Sequence, residues 1–257
     1  MAESLLDTVT SGVQPRPRKV VLYGVQGIGK STWAAGAPSP IFLNLEDGLA
    51  DIECNSFPVA KEFDEVMAQL ASLYSGQHDY KTVVVDSFDW LEMLTWKDVC
   101  LKGGKDSIAD FGFGKGYASA AGMIKRVLDA LTSLRNVTGL NTIVIAHAKI
   151  EKFENPMLDS YDRYSPKLHK AASALMTEWA DEVFFANYQT AVRKSKEKFG
   201  NERALPVSTG ERVIYTYEQP GFIAKNRLAL PATLPLEWAA YAEHFKTEKP
   251  KTTKKGK

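Results

Sequence analysis

Eight residues near the start of the chain have the types and the spacing needed to hold phosphate groups. The run Gly24–Ser31, GVQGIGKS, follows the pattern GxxxxGK[ST]. Its glycines let backbone N–H groups turn inward around phosphate oxygens, and the N-terminus of the following helix adds partial positive charge. Lys30 would reach the terminal phosphates, and the Ser31 hydroxyl would ligate Mg²⁺. We therefore predict that ATP, or a close relative, binds with Mg²⁺ to Gly24, Val25, Gln26, Gly27, Ile28, Gly29, Lys30, Ser31 and Thr32.

Two carboxylates follow predicted strands and could complete this site. Asp86 ends the purest apolar strand of the chain, Thr82–Val85, and would hold the magnesium through water. The alternative is that Asp86 caps the next helix. Glu46 follows a second strand and could activate water for hydrolysis, with Asp47 as its competitor. We prefer Glu46 for this role.

His147 ends a fourth predicted strand, Thr142–Ala146, at the same edge of the sheet. Ligands of open α/β sheets gather at the carboxyl ends of the strands. His147 could sense the terminal phosphate and relay its presence to the following loop. A partly buried histidine bonded to the backbone is an equally good interpretation.

The elements that must position these residues alternate between strand and helix. Apolar runs at Lys19–Tyr23 and Ile41–Leu45 are typical of buried strands, and Phe63, Val66 and Leu70 fall at helical spacing. This alternation predicts an α/β fold with a mostly parallel, twisted sheet and helices on both faces. The first helix should be short, because Gly36 and two prolines close it.

The last part of the chain follows a different pattern. Arg212–Glu218 and Phe222–Lys225 are predicted to pair as antiparallel strands around a turn at Gln219–Gly221. A final helix is predicted over Pro235–Phe245, with the proline in its first turn. We expect an N-terminal arm at 1–18, an ATPase domain at 19–245 and a disordered basic tail at 246–257.

Composition excludes several classes of protein. The chain has 257 residues, of which 44% are apolar, and 32 basic residues balance 31 acidic ones for a net charge of +1. Any surface for nucleic acid must therefore be local. Cys54 and Cys100 are too few for a disulfide framework, so we expect reduced thiols in the cytoplasm. No apolar run approaches the roughly 20 residues that span a bilayer, so no membrane association is expected.

Three segments resemble the RecA/RadA-type recombinase ATPases. Val84–Ser87 resembles the second nucleotide motif of that family, including the serine after the aspartate. Phe42–Asp51 resembles the segment that holds the catalytic glutamate of the family, and it places that role on Glu46. Ile145–His147 resembles the position of a γ-phosphate sensor that is usually glutamine and is histidine here.

A fourth segment, Ile223–Pro231, resembles the Lys-Asn-Lys segment of the same family. The two cations of that segment reach across a subunit interface to the ATP of the neighbour. By this match, Lys225 and Arg227 would act in trans, neutralising charge on the γ-phosphate in the transition state. The resemblance thus implies a homo-oligomer, ring or filament, with ATP at the subunit interfaces.

Within this superfamily the chain is most similar to phage-encoded, core-only ATPases, the Sak-four group of single-strand annealing proteins. Tyr23–Pro38, Leu45–Leu49 and Phe111–Tyr117 carry the likeness, which extends over residues 18–245. It implies a RecA-like P-loop NTPase core and a Mg-dependent ATPase stimulated by single-stranded DNA. The expected activity is annealing or strand exchange in phage-type recombination. A single-strand-binding protein is a further expected partner, and the cytoplasm of a bacterial host is the expected location.

In the resembled fold, two loops near the carboxyl ends of the strands hold single-stranded DNA. Here these would be Lys102–Tyr117 and Lys149–Lys170, which interleave cations with aromatic rings. Acidic residues occur in both loops, so solvated surface loops are the alternative. The predicted DNA contacts are Lys102, Lys105, Phe113, Lys115, Lys149, Lys152, Phe153, Arg163 and Tyr164.

Three other functions fit the same core. A hexameric motor, a helicase or loader, would use it to move along nucleic acid. A small-molecule P-loop kinase would use residues 102–117 as a lid, although this segment contains no arginine, which such lids usually supply. A regulatory module would bind ATP without hydrolysing it, and Glu46 argues against that alternative.

Overall fold

The computed structural model describes residues 5–12, 14–156, 159–196 and 202–245. Its strands are β1 (Lys19–Gly24), β2 (Pro40–Asn44), β3 (Asn55–Ser56), β4 (Thr82–Asp86), β5 (Asn141–Phe153), β6 (Tyr161–Pro166), β7 (Glu182–Lys196), β8 (Glu202–Tyr215) and β9 (Thr233–Pro235). Its α-helices are α1 (Lys30–Ala35), α2 (Phe63–Ser75), α3 (Phe88–Gly103), α4 (Lys115–Thr138), α5 (Lys170–Trp179) and α6 (Trp238–Ala242). Short 3₁₀ helices lie at Leu5–Thr8, Ile108–Asp110, Gly112–Gly114 and Glu243–Phe245.

The described strands form one sheet of nine, in the order β3-β2-β4-β5-β1-β7-β8-β9, with β6 paired to β5. The pairs from β3 through β7 are parallel, while β7, β8 and β9 are antiparallel. This confirms the predicted fold class. The central strands are fully buried, as continuous apolar runs covered on both faces should be.

Helices cover both faces of the sheet. Four of them, α2, α3, α4 and α5, pack on one face around residues such as Phe63, Leu91 and Leu131. The short helices α1 and α6 pack on the other face, where Trp33 contacts Trp238 and Tyr241. Because α1 follows β1 on one face and α3 follows β4 on the other, a crevice for a ligand is expected at the carboxyl ends of these strands.

Two hairpins differ from the sequence prediction. The segment after the fourth strand was expected to be a loop, but β5 continues to Phe153 and pairs with β6 in an antiparallel hairpin. The predicted pairing of Arg212–Glu218 with Phe222–Lys225 is wrong. Arg212–Tyr215 belongs to β8, which lies between β7 and β9. Alternating polar residues are compatible with a loop and with an exposed strand. Whether such a segment forms a strand therefore depends on whether a distant segment pairs with it.

The C-terminal segment departs from prediction in one further detail. The turn at Gln219–Gly221 is present, closed by hydrogen bonds between the backbones of Gln219 and Phe222. Pro235 ends strand β9, however, and the helix begins only at Trp238.

The predicted basic tail, 246–257, lies outside the described residues. In the part of the chain that is described, no helix is long and apolar enough to cross a membrane.

Candidate functional site

The loop between β1 and α1 has the backbone that the glycine pattern predicts. Gly24 lies so close to β7 that an added Cβ would be 2.3 Å from the carbonyl oxygen of Ala186. Gly27 and Gly29 have φ angles of 72° and 106°, which side chains disfavour. Helix α1 starts directly after the loop, where the N–H of Trp33 bonds to the Gly29 carbonyl at 3.0 Å. The loop is therefore shaped by backbone requirements to turn inward at a helix N-terminus.

Lys30 extends back across this loop. Its side chain is 6% exposed, and its Nζ donates to the carbonyl oxygens of Gly24 at 3.3 Å and Val25 at 3.1 Å. Burial lowers the pKa of the ammonium group, while the carboxylates of Asp86 and Glu46 oppose that shift. Lys30 is thus a buried cation next to acidic groups, in the position that a phosphate-binding lysine requires.

Asp86 lies at the end of β4 with one carboxylate oxygen unpaired. The residue is 2% exposed, and its Oδ1 has no hydrogen-bond partner among the described residues. Burial raises its pKa to about 6, although a hydrogen bond from Ser31 and the charge of Lys30 act in the opposite direction. The alternative of a helix cap is wrong, because the N-cap position of α3 is Ser87.

An unpaired, buried carboxylate oxygen beside a hydroxyl is the donor set expected for Mg²⁺. Ser31 and Asp86 therefore fit a magnesium ion held directly or through water. Asn44 pairs with Asp86 in the parallel register, and its Oδ1 is also buried without a partner in the described chain. No sequence pattern singled out Asn44.

Glu46 follows β2 and is fixed by a hydroxyl. The Oγ of Ser87 donates to its Oε2 at 2.9 Å, and its side chain is 19% exposed. Its competitor Asp47 is exposed, with a φ of 52°. Of the two acids, Glu46 is therefore the one that a hydrogen bond holds in place at the carboxyl ends of the strands, near Asp86.

His147 lies in the middle of β5, in register with Gly24 of the P-loop. Its backbone N–H donates to Asp89 Oδ1 at 3.0 Å, and its Nδ1 is 3.0 Å from Asp89 Oδ2. The same Nδ1 is 3.8 Å from Glu46 Oε2. Burial alone would raise the pKa of Asp89, but the hydrogen bonds from His147 lower it below its usual value.

Asp89 was missed by the sequence interpretation. Asp89 lies in the first turn of α3, three residues after Asp86. This short spacing after a predicted site residue could have indicated that Asp89 lies near the same site. Ligand atoms of Glu46, Asp89 and His147 lie within 4.8 Å of one another. This cluster links the predicted catalytic carboxylate to the predicted sensor histidine, and its oxygen and nitrogen atoms could also hold a cation.

Lys225 and Arg227 are not brought to the P-loop of their own subunit. Lys225 pairs with Val183 near the amino end of β7, and its Nζ donates to three carbonyls that follow or end α5, with the shortest at 2.7 Å to Ala180. Arg227 is 58% exposed at the side chain and pairs with Asp181 at 3.3 Å. Both cations therefore lie near the amino ends of the strands, at the edge of the sheet opposite to the phosphate loop.

The first predicted DNA loop forms an exposed surface. Its 3₁₀ helices separate α3 from α4, and Phe113 is fully exposed with a φ of 56°. Lys105 and Lys115 are exposed as well. Lys102 is exposed and pairs with Asp98 at 2.8 Å.

The second predicted DNA segment is the β5–β6 hairpin, and its residues differ in exposure. Lys152 is exposed, and Lys149 pairs with Glu151 at 2.9 Å. Arg163 is 7% exposed and lies over the ring of Phe153, with 4.6 Å to its centroid. Tyr164 stacks on Phe185 of the core at 4.9 Å. The last two side chains therefore support the hairpin from inside.

Comparison with known proteins agrees with this geometry. No curated protein matches the chain. A family model described as an AAA domain matches residues 16–228 and so covers the P-loop, Glu46, Asp86 and His147. Since this match extends over well more than half of the sequence, the chain belongs to the AAA domain family, a family of the P-loop ATPase type.

Proposed function

We propose that this chain is a magnesium-dependent ATPase that hydrolyses ATP at the P-loop. The observation that supports it best is the position of Glu46, held by Ser87 beside Asp86 at the edge that also carries Lys30. A hydrolysing site needs a cation for the phosphates, ligands for magnesium and a carboxylate for water. This edge of the sheet supplies all three.

Each residue has a distinct task in this proposal. Lys30 and the loop N–H groups bind the phosphates, and Ser31 and Asp86 hold Mg²⁺. The metal, when bound, neutralises charge on the phosphate oxygens. Glu46 orients a water molecule and accepts its proton. His147, positioned by Asp89, senses the terminal phosphate.

Substitutions at Lys30 and Glu46 separate binding from hydrolysis. Lys30→Ala should abolish nucleotide binding and turnover together. Glu46→Gln should keep binding of a fluorescent ATP analogue but lower turnover by about 100-fold or more, because a general base contributes that much. Asp47→Asn is the matched control and should leave both unchanged. Normal turnover in Lys30→Ala or Glu46→Gln would refute the proposal.

We further propose that the ATPase is linked to single-stranded DNA and promotes annealing or strand exchange. Strand β5 runs without interruption from His147 into the exposed hairpin, so a change at the phosphate can be transmitted to Lys152. The exposed Phe113 and the lysines 102, 105 and 115 supply the stacking and charge that a single strand binds. The likeness of Phe111–Tyr117 to the annealing ATPases supports the same assignment.

The DNA link is tested by measuring ATP hydrolysis with and without single-stranded DNA, alongside annealing of complementary strands. Stimulation and annealing are the expected results. Directional unwinding of a tailed duplex would favour the motor alternative instead. A rate of ATP hydrolysis that single-stranded DNA does not change, together with no annealing, would contradict the DNA link and favour a kinase or a regulatory module.

A further inference from the structure

A cavity of about 630 Å³ lies between α3 and the start of α4, away from the P-loop. Its walls include the aromatic rings of Trp96 and Tyr117, whose centroids are 5.5 Å apart in an edge-to-face arrangement. Cys100, Leu101 and Ile108 add further apolar and sulfur surface. The cavity thus presents a mainly apolar lining to solvent, away from the residues assigned to ATP hydrolysis.

The rim of this cavity carries one available cation. Lys97 is paired with Glu62 at 2.6 Å, whereas the Lys105 ammonium group has no ion pair or hydrogen bond with any residue that the structure describes. Asp106, beside it, is exposed and offers an acceptor. Aromatic walls, a free cation and an acceptor correspond to the face, the phosphate and the edge N–H of a nucleotide in a single strand.

A chain of contacts joins the cavity to the ATP site. Tyr117 stacks on His169 with centroids 4.4 Å apart and rings 9° from parallel. The backbone N–H of His169 donates to both oxygens of Glu92 at 3.0 Å. Glu92 lies on α3 one turn after Asp89, which holds His147. A displacement of Tyr117 would therefore reach the P-loop edge through rigid elements.

We propose that this cavity binds an unpaired base of single-stranded DNA and that its occupancy is transmitted to the ATP site through Tyr117, His169 and Glu92. The base stacks on the aromatic wall, Asp106 accepts from an N–H on its edge, and Lys105 contacts the adjoining phosphate. This inference rests on the proposed DNA link and adds a defined base site to it.

Cys100 in the cavity wall makes a direct test possible in the native protein. Alkylation of Cys100 by iodoacetamide, followed by mass spectrometry, should slow when oligothymidylate is bound. An abasic oligomer of equal length, which has the same phosphates without bases, should protect it much less. Cys54, the other thiol, does not line the cavity and serves as the internal control, whose alkylation should change much less than that of Cys100.

Binding affinities test the same site independently. Trp96→Ala should weaken oligothymidylate binding by about tenfold, as expected for the loss of one stacked base. Lys105→Ala should weaken it less and reduce its salt dependence. Lys125→Ala, on the exposed surface of α4, is the matched control for charge. Basal hydrolysis without DNA should be unchanged in Lys125→Ala, and thermal unfolding should confirm that all three variants are folded.

Three results would overturn the base site while leaving the DNA link intact. They are DNA binding and stimulation with no protection of Cys100, equal protection by the abasic oligomer, and unchanged affinity in both Trp96→Ala and Lys105→Ala. Failure of DNA to bind or to stimulate hydrolysis at all would instead contradict the DNA link together with this site.

Discussion

Glu92 is a buried carboxyl group outside the phosphate site, one turn after Asp89 on α3. Burial raises its pKa to about 7 from the usual 4.5, although the His169 N–H and the charge of Lys149 oppose the shift. The nearby charge of Asp89 adds to the increase. Ionised Glu92 therefore destabilises the fold. Its carboxyl group nevertheless joins α3 to the N-terminus of α5, because it accepts the His169 N–H.

This shift has a consequence for the pH dependence of stability. Because the folded protein holds the Glu92 proton more tightly than the unfolded chain, the contribution of this residue to stability falls as the pH rises from 4.5 to about 7. Glu92→Gln removes the ionisation and keeps an acceptor for His169. The variant should therefore gain stability relative to wild type across this window, by on the order of 1–3 kcal/mol at its upper end.

Urea denaturation of both proteins at pH values below and above the window measures this difference. Glu154→Gln, at an exposed position, is the matched control and should change the free energy of unfolding by the same small amount at both pH values. A constant difference between Glu92→Gln and wild type would show that Glu92 does not titrate as described.

At the scale of elements, the parallel strands align the site at their carboxyl ends, and a buried ion pair holds their amino ends. Glu182 at the start of β7 is fully buried, and it bonds to the Arg18 guanidinium and the Tyr241 hydroxyl. The backbone N–H of Arg18 also bonds to Asn141 Oδ1 at the start of β5. Arg18 thus connects the end of the predicted N-terminal arm to two strands and, through Glu182, to α6.

Arg18→Ala should destabilise the fold by about 3–5 kcal/mol, because it leaves the Glu182 carboxylate buried without its cation. Thermal or urea unfolding measures the loss. A second substitution, Glu182→Gln, should restore part of it, since the uncompensated charge is then gone. The exposed Arg16 provides the control, and Arg16→Ala should change stability very little. Equal effects of Arg16→Ala and Arg18→Ala would contradict the role of this ion pair.

At the scale of the whole molecule, the P-loop and the pair Lys225 and Arg227 occupy opposite edges of one sheet. A heterologous, head-to-tail contact between copies would bring the second edge of one subunit to the first edge of the next. We therefore propose that these cations act in trans, as the resemblance implies, with Arg227 the more exposed of the two.

Mixed oligomers test this arrangement. Glu46→Gln lacks the catalytic carboxylate, and Lys225→Ala/Arg227→Ala lacks both cations. Each variant alone should hydrolyse ATP poorly. Equal mixtures should regain up to about a quarter of the wild-type rate, because half of the sites keep Glu46 and half of the neighbours keep the cations.

The Lys225→Ala substitution also removes donors from the end of α5, so unfolding of this variant should be measured separately. A mixture that is no more active than its parts, although the subunits exchange, would refute action in trans. Hydrolysis at the wild-type rate by Lys225→Ala/Arg227→Ala alone would also refute action in trans.

The sequence by itself determined the phosphate loop, the strands that flank it and the acids at their ends. These signals are local: glycine spacing sets the loop, apolar runs set the buried strands, and each strand ends at the residue that enters the site. The alternation of strand and helix was therefore predicted correctly, and Asp86 and Glu46 lie at or just after strand ends, as expected. The roles of Asp86, Glu46, Lys225 and Arg227 stay predictions.

Only the tertiary structure decided which distant groups meet. The contacts of His147 with Asp89 and of His169 with Glu92 join segments far apart in the chain, and no local pattern specifies them. The partner of β8 and the hairpin of β5 with β6 were likewise missed, because exposed strands carry the same polar pattern as loops. Long-range pairing is settled by what each residue can bury or bond against, and that is fixed only when the whole chain has folded.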